Sequence, residues 1–418
     1  MRSVPLNRIR RSLPSAALPD PEERARAEVA DLLERRAVPA GARVAFTAGS
    51  RGIGGVVGVL RGAVRAAADR GCRPFLFAAM GSHGGGTPAG QRDVLDSLGI
   101  TEEALGAPVV CSDRVADLGE TGDPLPGLPV YFAEEAATAD AVVAVNRIKP
   151  HTSFHGPHES GLLKMLSVGA GRARGAAMVH RLGWASMVDA IAAISSAVMA
   201  RVPLIGGLGL VQDPYEGLAA IEALDAGRMA EGEARLLESA RRLLPRLPVD
   251  DLDALVVREM GKSYSGCGMD TNVIGRLRLE GMAEPERPRI RCLAVLDLAE
   301  DSHGNATGMG LADFTTERLA RAVDRGATYL NCLTSGGPQR AAVPMTYPDD
   351  AAVLAAMGDM LRPEREADVR LAVIDNTLAL DEMWVSDPVL AEVAENEEAE
   401  VTERTPELRF DSGGRLLP

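Results

Sequence analysis

The chain has 418 residues and almost no lysine. Lys149, Lys164 and Lys262 are its three lysines, against 42 arginines. Where a surface needs only positive charge, this chain uses Arg. A retained Lys therefore marks a place that needs a primary amine: a compact charge, a nucleophile or an atom that can be acylated. Aromatic residues are also scarce, at 3%, so the core has to be built from Ala, Val, Leu, Ile and Met. The net charge is −14 and no basic patch is interleaved with aromatics, which argues against nucleic acid and anionic membrane as partners. The five cysteines are scattered and never spaced CxxC. That argues against a disulfide framework or a cysteine zinc site, and for a reducing, cytoplasmic compartment. No apolar h-region follows the N-terminal arginines, so no signal peptide is expected. The longest apolar stretch, Ala185–Val211, carries Asp189 and Arg201 and is a poor membrane span.

What is present is alternation. Short apolar or β-branched runs read as strands at Arg43–Thr47, Pro74–Ala79, Ala141–Asn146, Ala254–Arg258, Arg291–Leu296, Thr328–Leu330 and Arg370–Ile374. Between them, helical patterns read as Pro21–Arg36, Gly55–Asp69, Pro88–Leu98, Ala185–Ala200, Glu216–Leu244, Asp313–Asp324 and Asp350–Leu361. The acidic stretch Ala391–Arg404 reads as a solvated helix face or tail. The pattern predicts an α/β protein of two domains with mainly parallel sheets. A break near Leu247–Asp251 divides it into residues 1–248 and 249–418, with the site expected in the cleft between the domains.

Several predicted strands run straight into polar or glycine-rich segments, where open α/β sheets bind their ligands. All six histidines and all three lysines fall in these segments or just after them. Gly81-Ser82-His83-Gly84-Gly85-Gly86-Thr87-Pro88 follows a strand and opens a helix. It is either an anion- or cofactor-binding nest at a helix N-terminus or a tight turn that needs positive φ. Arg51 stands at another strand end and could clamp a carboxylate or phosphate. The densest cluster is Pro150-His151-Thr152-Ser153-Phe154-His155-Gly156-Pro157-His158-Glu159, with Lys164 five residues further on. Three imidazoles so close could bind a metal, but the glycine and prolines exclude the helical geometry of HExxH. Pro150 fixes the chain just before His151, which makes His151 the strongest candidate of the three. Lys262, in Gly261-Lys262-Ser263-Tyr264, could meet an anionic substrate. His155, His158 and His303 receive no role.

These segments resemble the lactate racemase family of nickel-dependent 2-hydroxyacid racemases and epimerases, from about Arg43 to His180 and more loosely beyond. FAAMGSHGGGT is similar to the family segment that carries one catalytic histidine, here His83. KPHTSFHGPHESGLLK is similar to the segment that carries the second, here His151, and the lysine joined to the cofactor, here Lys164. His180, 16 residues after Lys164, matches the family's nickel-ligating histidine in spacing. The resemblance implies two α/β domains and a nickel-pincer nucleotide, a pyridinium mononucleotide with two sulfur arms, tethered to Lys164. Gly84, Gly85, Gly86 and Thr87 are the further cofactor-binding candidates, and Arg51 and Lys262 the substrate-binding ones. Ala48 replaces a family aspartate, and GLLK replaces GGRK. The expected reaction is inversion at Cα of a lactate-like or sugar-acid-like 2-hydroxy acid, the small molecule being the expected partner. A divalent-metal hydrolase or lyase, or a non-catalytic anion- or nucleotide-binding protein, is the alternative. The oligomeric state is open.

Overall fold

In the computed structural model, which describes residues 1, 3–396 and 399–417, the chain forms an α/β fold of two compact units. One comprises residues 14–244, and the other residues 1–13 and 245–418. The sequence reading assigned residues 1–248 to the first domain and read no strand before Arg43. In the structure Leu6–Arg11 belongs to the other unit, because it pairs antiparallel with Glu382–Ser386 and with Ala399–Thr405.

The 14–244 unit is built on a six-stranded sheet. Its order is Val109–Val110, Arg73–Ala78, Arg43–Ala48, Ala141–Arg147, Leu204–Gln212, Leu218–Asp225. Every neighbouring pair is parallel except the last, which is an antiparallel hairpin. Helices Pro21–Arg35 and Val56–Asp69 pack against it through Val29, Leu32, Leu33, Val59 and Leu60, all buried. Pro21 stands in the first turn behind an Asp20 cap whose carboxylate accepts from Glu23 N–H at 3.0 Å. The cap supplies an acceptor that the helix start lacks.

The other unit holds an eight-stranded mixed sheet. Met345–Tyr347, Phe314–Thr316, Arg289–Leu298, Asp251–Met260 and Leu371–Ile374 run parallel. Glu382–Ser386, Leu6–Arg11 and Ala399–Thr405 continue it antiparallel. Alternate residues of its central strands feed two separate cores: Leu255, Val257, Leu293 and Val295 enter one, and Ala254, Val256, Cys292 and Ala294 the other. A sheet buried on both faces needs the near-continuous apolar runs these strands have.

Four expectations are corrected. Thr328–Leu330 is not a strand but part of helix Arg325–Ser335, which Asp324 caps and Gly336 ends in a left-handed conformation. Glu216–Leu244 is not one helix. Its first part is the strand Leu218–Asp225, set by a turn in which Asp213 accepts from Tyr215 and Gly217 N–H, and the helix begins at Met229. Asp313–Asp324 divides into the strand Phe314–Thr316 and the helix Glu317–Ala322, capped by Thr316. The acidic stretch Ala391–Arg404 ends the helix Asp387–Asn396 and forms the edge strand Ala399–Thr405. Residues 397 and 398 of that stretch lie outside the described residues. Among the described residues, no single helix is long and apolar enough to cross a membrane.

Candidate active site

Three neighbouring parallel strands of the 14–244 unit release three loops from the same sheet edge. The central strand, Arg43–Ala48, leads to Ser50 and Arg51. Arg73–Ala78, on one side, leads to His83, and Ala141–Arg147, on the other, leads to Lys149 and His151. The sequence reading placed these residues in separate loops, and the sheet order makes them neighbours.

His83 is held by the central loop: its Nδ1 lies 2.8 Å from Ser50 Oγ. The glycines behind it are a conformational requirement. Gly84, Gly85 and Gly86 all have positive φ, near +64° to +69°, and a Cβ on Gly84 would lie 2.4 Å from the Gly90 backbone. Thr87 caps the next helix, Pro88–Ser97. Its hydroxyl accepts from Gly90 N–H at 3.1 Å and donates to Gly84 O at 3.2 Å. Turn and cap thus account for all four residues of the glycine segment without a ligand.

The loop from Lys149 to Ser160 is closed by a backbone bridge between those two residues. Inside it the Glu159 carboxylate is a buried hub. Oε2 accepts from the His151 backbone N–H at 2.5 Å and Oε1 from Gly156 N–H at 3.2 Å. His155 Nδ1 lies 3.3 Å from Oε2. Arg241, from the helix Met229–Leu243, donates to Oε1 at 2.6 Å and to Gly156 O at 2.9 Å. Burial pushes the Glu159 carboxyl up, but the hydrogen bonds from His155, the His151 backbone and Arg241 outweigh it and hold the carboxyl below the usual range. His151 is thus positioned through its own backbone. Its Nδ1 accepts from Ser153 N–H at 3.1 Å, which places the neutral ring's proton on Nε2.

Lys164 follows on a short helical turn, Leu162–Lys164, that runs into the π-helical turn Met165–Gly169. Such turns interrupt the regular ladder and cluster at functional sites. Glu233 organises the approach by accepting from Leu163 N–H at 2.9 Å. A Cβ at position 161 would lie 2.5 Å from the Glu233 carboxyl carbon and would push that carboxylate aside. The Lys164 Nζ lies 5.5 Å from the centroid of the Phe154 ring. Burial, then the charges of Arg51 and Lys149, push its pKa down to about 7, with Glu159 opposing. The residue keeps some solvent contact, so the neighbouring cations contribute alongside desolvation.

His180 ends the helix Arg172–His180. That helix starts from the buried Arg172, whose φ of +55° is tolerated because its guanidinium is anchored to Arg114 O and Glu135. Burial, and then the charge of Lys164, hold the His180 imidazole below its usual pKa, keeping it neutral as a metal ligand must be. Trp184 completes the group. Its ring centroid lies 6.2 Å from that of His180 (edge-on) and 6.0 Å from that of His151. His151 in turn stacks on Phe154 at 4.2 Å.

The structure therefore gathers His151, Lys164 and His180 around Phe154 and Trp184, with Arg51 and Lys149 within electrostatic reach of Lys164 and His83 on the adjoining loop. Lys262 lies in the other unit. There its Nζ donates to Gly266 O at 2.7 Å and to Asn331 Oδ1 at 2.5 Å. His303, also in that unit, has a positive φ and closes a turn through its N–H to Glu300 O. Sequence reasoning missed Ser50, Phe154, Trp184, Glu233 and Arg241. Only Trp184, one of two tryptophans, carried a signal by its rarity.

Among the described residues no three His, Cys, Asp or Glu side chains converge as a metal-ligand set. His155 and His158 face carboxylates, Glu159 and Glu233. A metal held wholly by protein ligands does not fit this donor set. A single neutral histidine beside an acylatable amine fits a metal whose other donors come from an organic group on Lys164.

No protein-family profile matches the chain, and no curated protein sequence does. Among solved structures it is similar to the lactate racemase apoprotein from Thermoanaerobacterium thermosaccharolyticum. The identity is 12% and the TM-score 0.50, over 90% of this chain and 99% of that one. The likeness is one of fold.

Proposed function

We propose that the protein is a cytoplasmic racemase or epimerase that inverts the Cα of a lactate-like or sugar-acid-like 2-hydroxy acid, with a nickel-pincer nucleotide tethered to Lys164. The observation that carries this reading is the Lys164 amine, brought close to neutrality beside His151 and His180. A neutral amine is the nucleophile that a covalent tether requires, and an arginine could not supply it. In this reading His180 is the protein's nickel ligand.

When bound, the cofactor supplies an electron-poor centre that accepts and returns hydride. The chain's own residues handle the proton and the orientation. Loss of hydride from Cα requires the neighbouring hydroxyl to give up its proton, and imidazole is the natural base near neutral pH. If Ser50 Oγ accepts from His83 Nδ1–H, the His83 Nε2 lone pair is the one that takes that proton. His151, with Nδ1 engaged by Ser153, offers Nε2–H to the same oxygen. The opposite enantiomer reverses these roles, which requires His151 to release Ser153. Arg51 and Lys149 hold the carboxylate. The planar 2-keto acid then accepts hydride on either face.

Peptide mass spectrometry and metal analysis of protein from its native source test the reading. A nucleotide-sized adduct on the Lys164 peptide with stoichiometric nickel is expected. Unmodified Lys164 in a cell that makes the cofactor overturns it.

A further inference from the structure

Trp184 has a donor with nothing to donate to. Its indole Nε1 is buried and has no acceptor among the described residues. An indole N–H can only donate, and a buried donor left unsatisfied is costly, so such groups are rare without a purpose. Two other orphaned polar atoms of this unit have a ready remedy close by. His158 Nδ1 and Glu233 Oε1 face each other at 3.6 Å, where a small shift pairs them. Trp184 has no such neighbour. Its ring instead lies near those of both His151 and His180, and His180 is within electrostatic reach of Lys164. Arg51 and Lys149 carry positive charge that reaches Lys164, and Lys164 in turn acts on His180 beside the indole, so a negatively charged oxygen is the best-matched acceptor.

We infer that Trp184 is a ligand-binding residue of this site and donates its indole N–H to an anionic oxygen of the bound molecule. Two sources share that chemistry: the carboxylate of a 2-hydroxy acid and the phosphate of a pyridinium mononucleotide. The inference rests on the proposed reading of the site, but it concerns a contact the apo protein can make. It can therefore be tested apart from nickel and the Lys164 adduct.

The full-length apo protein, labelled with 15N-tryptophan, should give two indole N–H signals, one each from Trp184 and Trp384. Trp384→Phe assigns them. Nicotinamide mononucleotide, whose anionic oxygens are all on its phosphate, and a panel of lactate, glycerate and gluconate are titrated separately. The Trp184 indole proton is expected to move downfield and saturate with at least one probe, while Trp384 stays fixed. Movement with the mononucleotide alone identifies the phosphate as acceptor, and movement with a hydroxy acid alone the carboxylate. Trp184→Phe, which keeps an aromatic ring and removes the donor, should weaken the active probe about tenfold. A Trp184 signal unmoved by every probe overturns the inference, as does unchanged affinity in a folded Trp184→Phe protein. If that variant does not fold, the wild-type titration decides alone. A moving Trp184 signal in a protein whose native form lacks the Lys164 adduct upholds the contact and removes the cofactor reading.

Discussion

Lys164 and Lys262 are the same side chain in two segments that follow parallel strands, and their surroundings treat them in opposite ways. Lys262 has two acceptors for its protons, Gly266 O and Asn331 Oδ1. Lys164 lies over an aromatic face, and burial, then the charges of Arg51 and Lys149, bring its pKa to about 7. One environment satisfies an ammonium and the other favours an amine. Residue type alone does not separate a charge from a nucleophile, whereas acceptors, desolvation and neighbouring charge do.

The largest effect that sharpens this contrast comes from Lys164→Arg, which is expected to lose the adduct and reduce turnover to background. Lys262→Met should keep the adduct, which peptide mass spectrometry reads directly. A retained adduct with Arg at 164 would break the comparison, because it would locate the tether elsewhere.

Next comes the hub that positions His151. Glu159→Ala leaves Arg241 and the His151 and Gly156 N–H groups without their acceptor. It is expected to cost about 3 kcal/mol in urea denaturation. A loss within a few tenths would mean that the loop holds His151 without the carboxylate.

A pH-dependent effect follows. The folded pKa of Lys164 lies below its unfolded value, so between pH 7 and the ordinary lysine range the unfolded chain binds more protons. The cost of holding the lysine there is full below about pH 7 and fades as pH rises through that window. Lys164→Met should therefore raise the melting temperature, and more at pH 6 than at pH 10. An equal gain at both values would show that Lys164 is not depressed. The same substitution at Lys262 removes two hydrogen bonds and should lower stability by about 1 kcal/mol.

The smallest expected effect is at Thr87. Thr87→Ala removes a helix cap and should cost about 1 kcal/mol, with adduct formation unchanged. Loss of the adduct in the folded variant would restore Thr87 as a cofactor contact.

Much of the fold was legible. The strands Arg43–Ala48, Arg73–Ala78 and Ala141–Arg147 came within a residue or two of expectation, because buried parallel strands are short apolar runs between unmistakable helices. Leu218–Asp225 was lost inside a helical pattern: an edge strand of a hairpin carries Ala, Glu and Leu as readily as a helix does. Thr328–Leu330 erred the other way, since β-branched and aromatic residues there serve a capped helix. Among the candidate site residues, His83, His151 and Lys164 stood out by rarity and loop position, and His180 only by its spacing in the family resemblance. Glu159 and Arg241 could not, because they lie 82 residues apart and charged residues are common throughout the chain.

By itself the sequence determined which chemical groups are available: a few amines and imidazoles in loops, in a chain otherwise supplied with arginine. It also determined the α/β alternation, since periodicity is local. Only the tertiary structure decided which groups meet and in what state. The sheet order brought the Ser50, His83 and His151 loops to one edge. Burial, with the charges of Arg51 and Lys149, brought one lysine's pKa down to about 7. The physical reason is that proximity, desolvation and hydrogen-bond partners are set by contacts between residues far apart in the chain, and local pattern carries no record of those contacts.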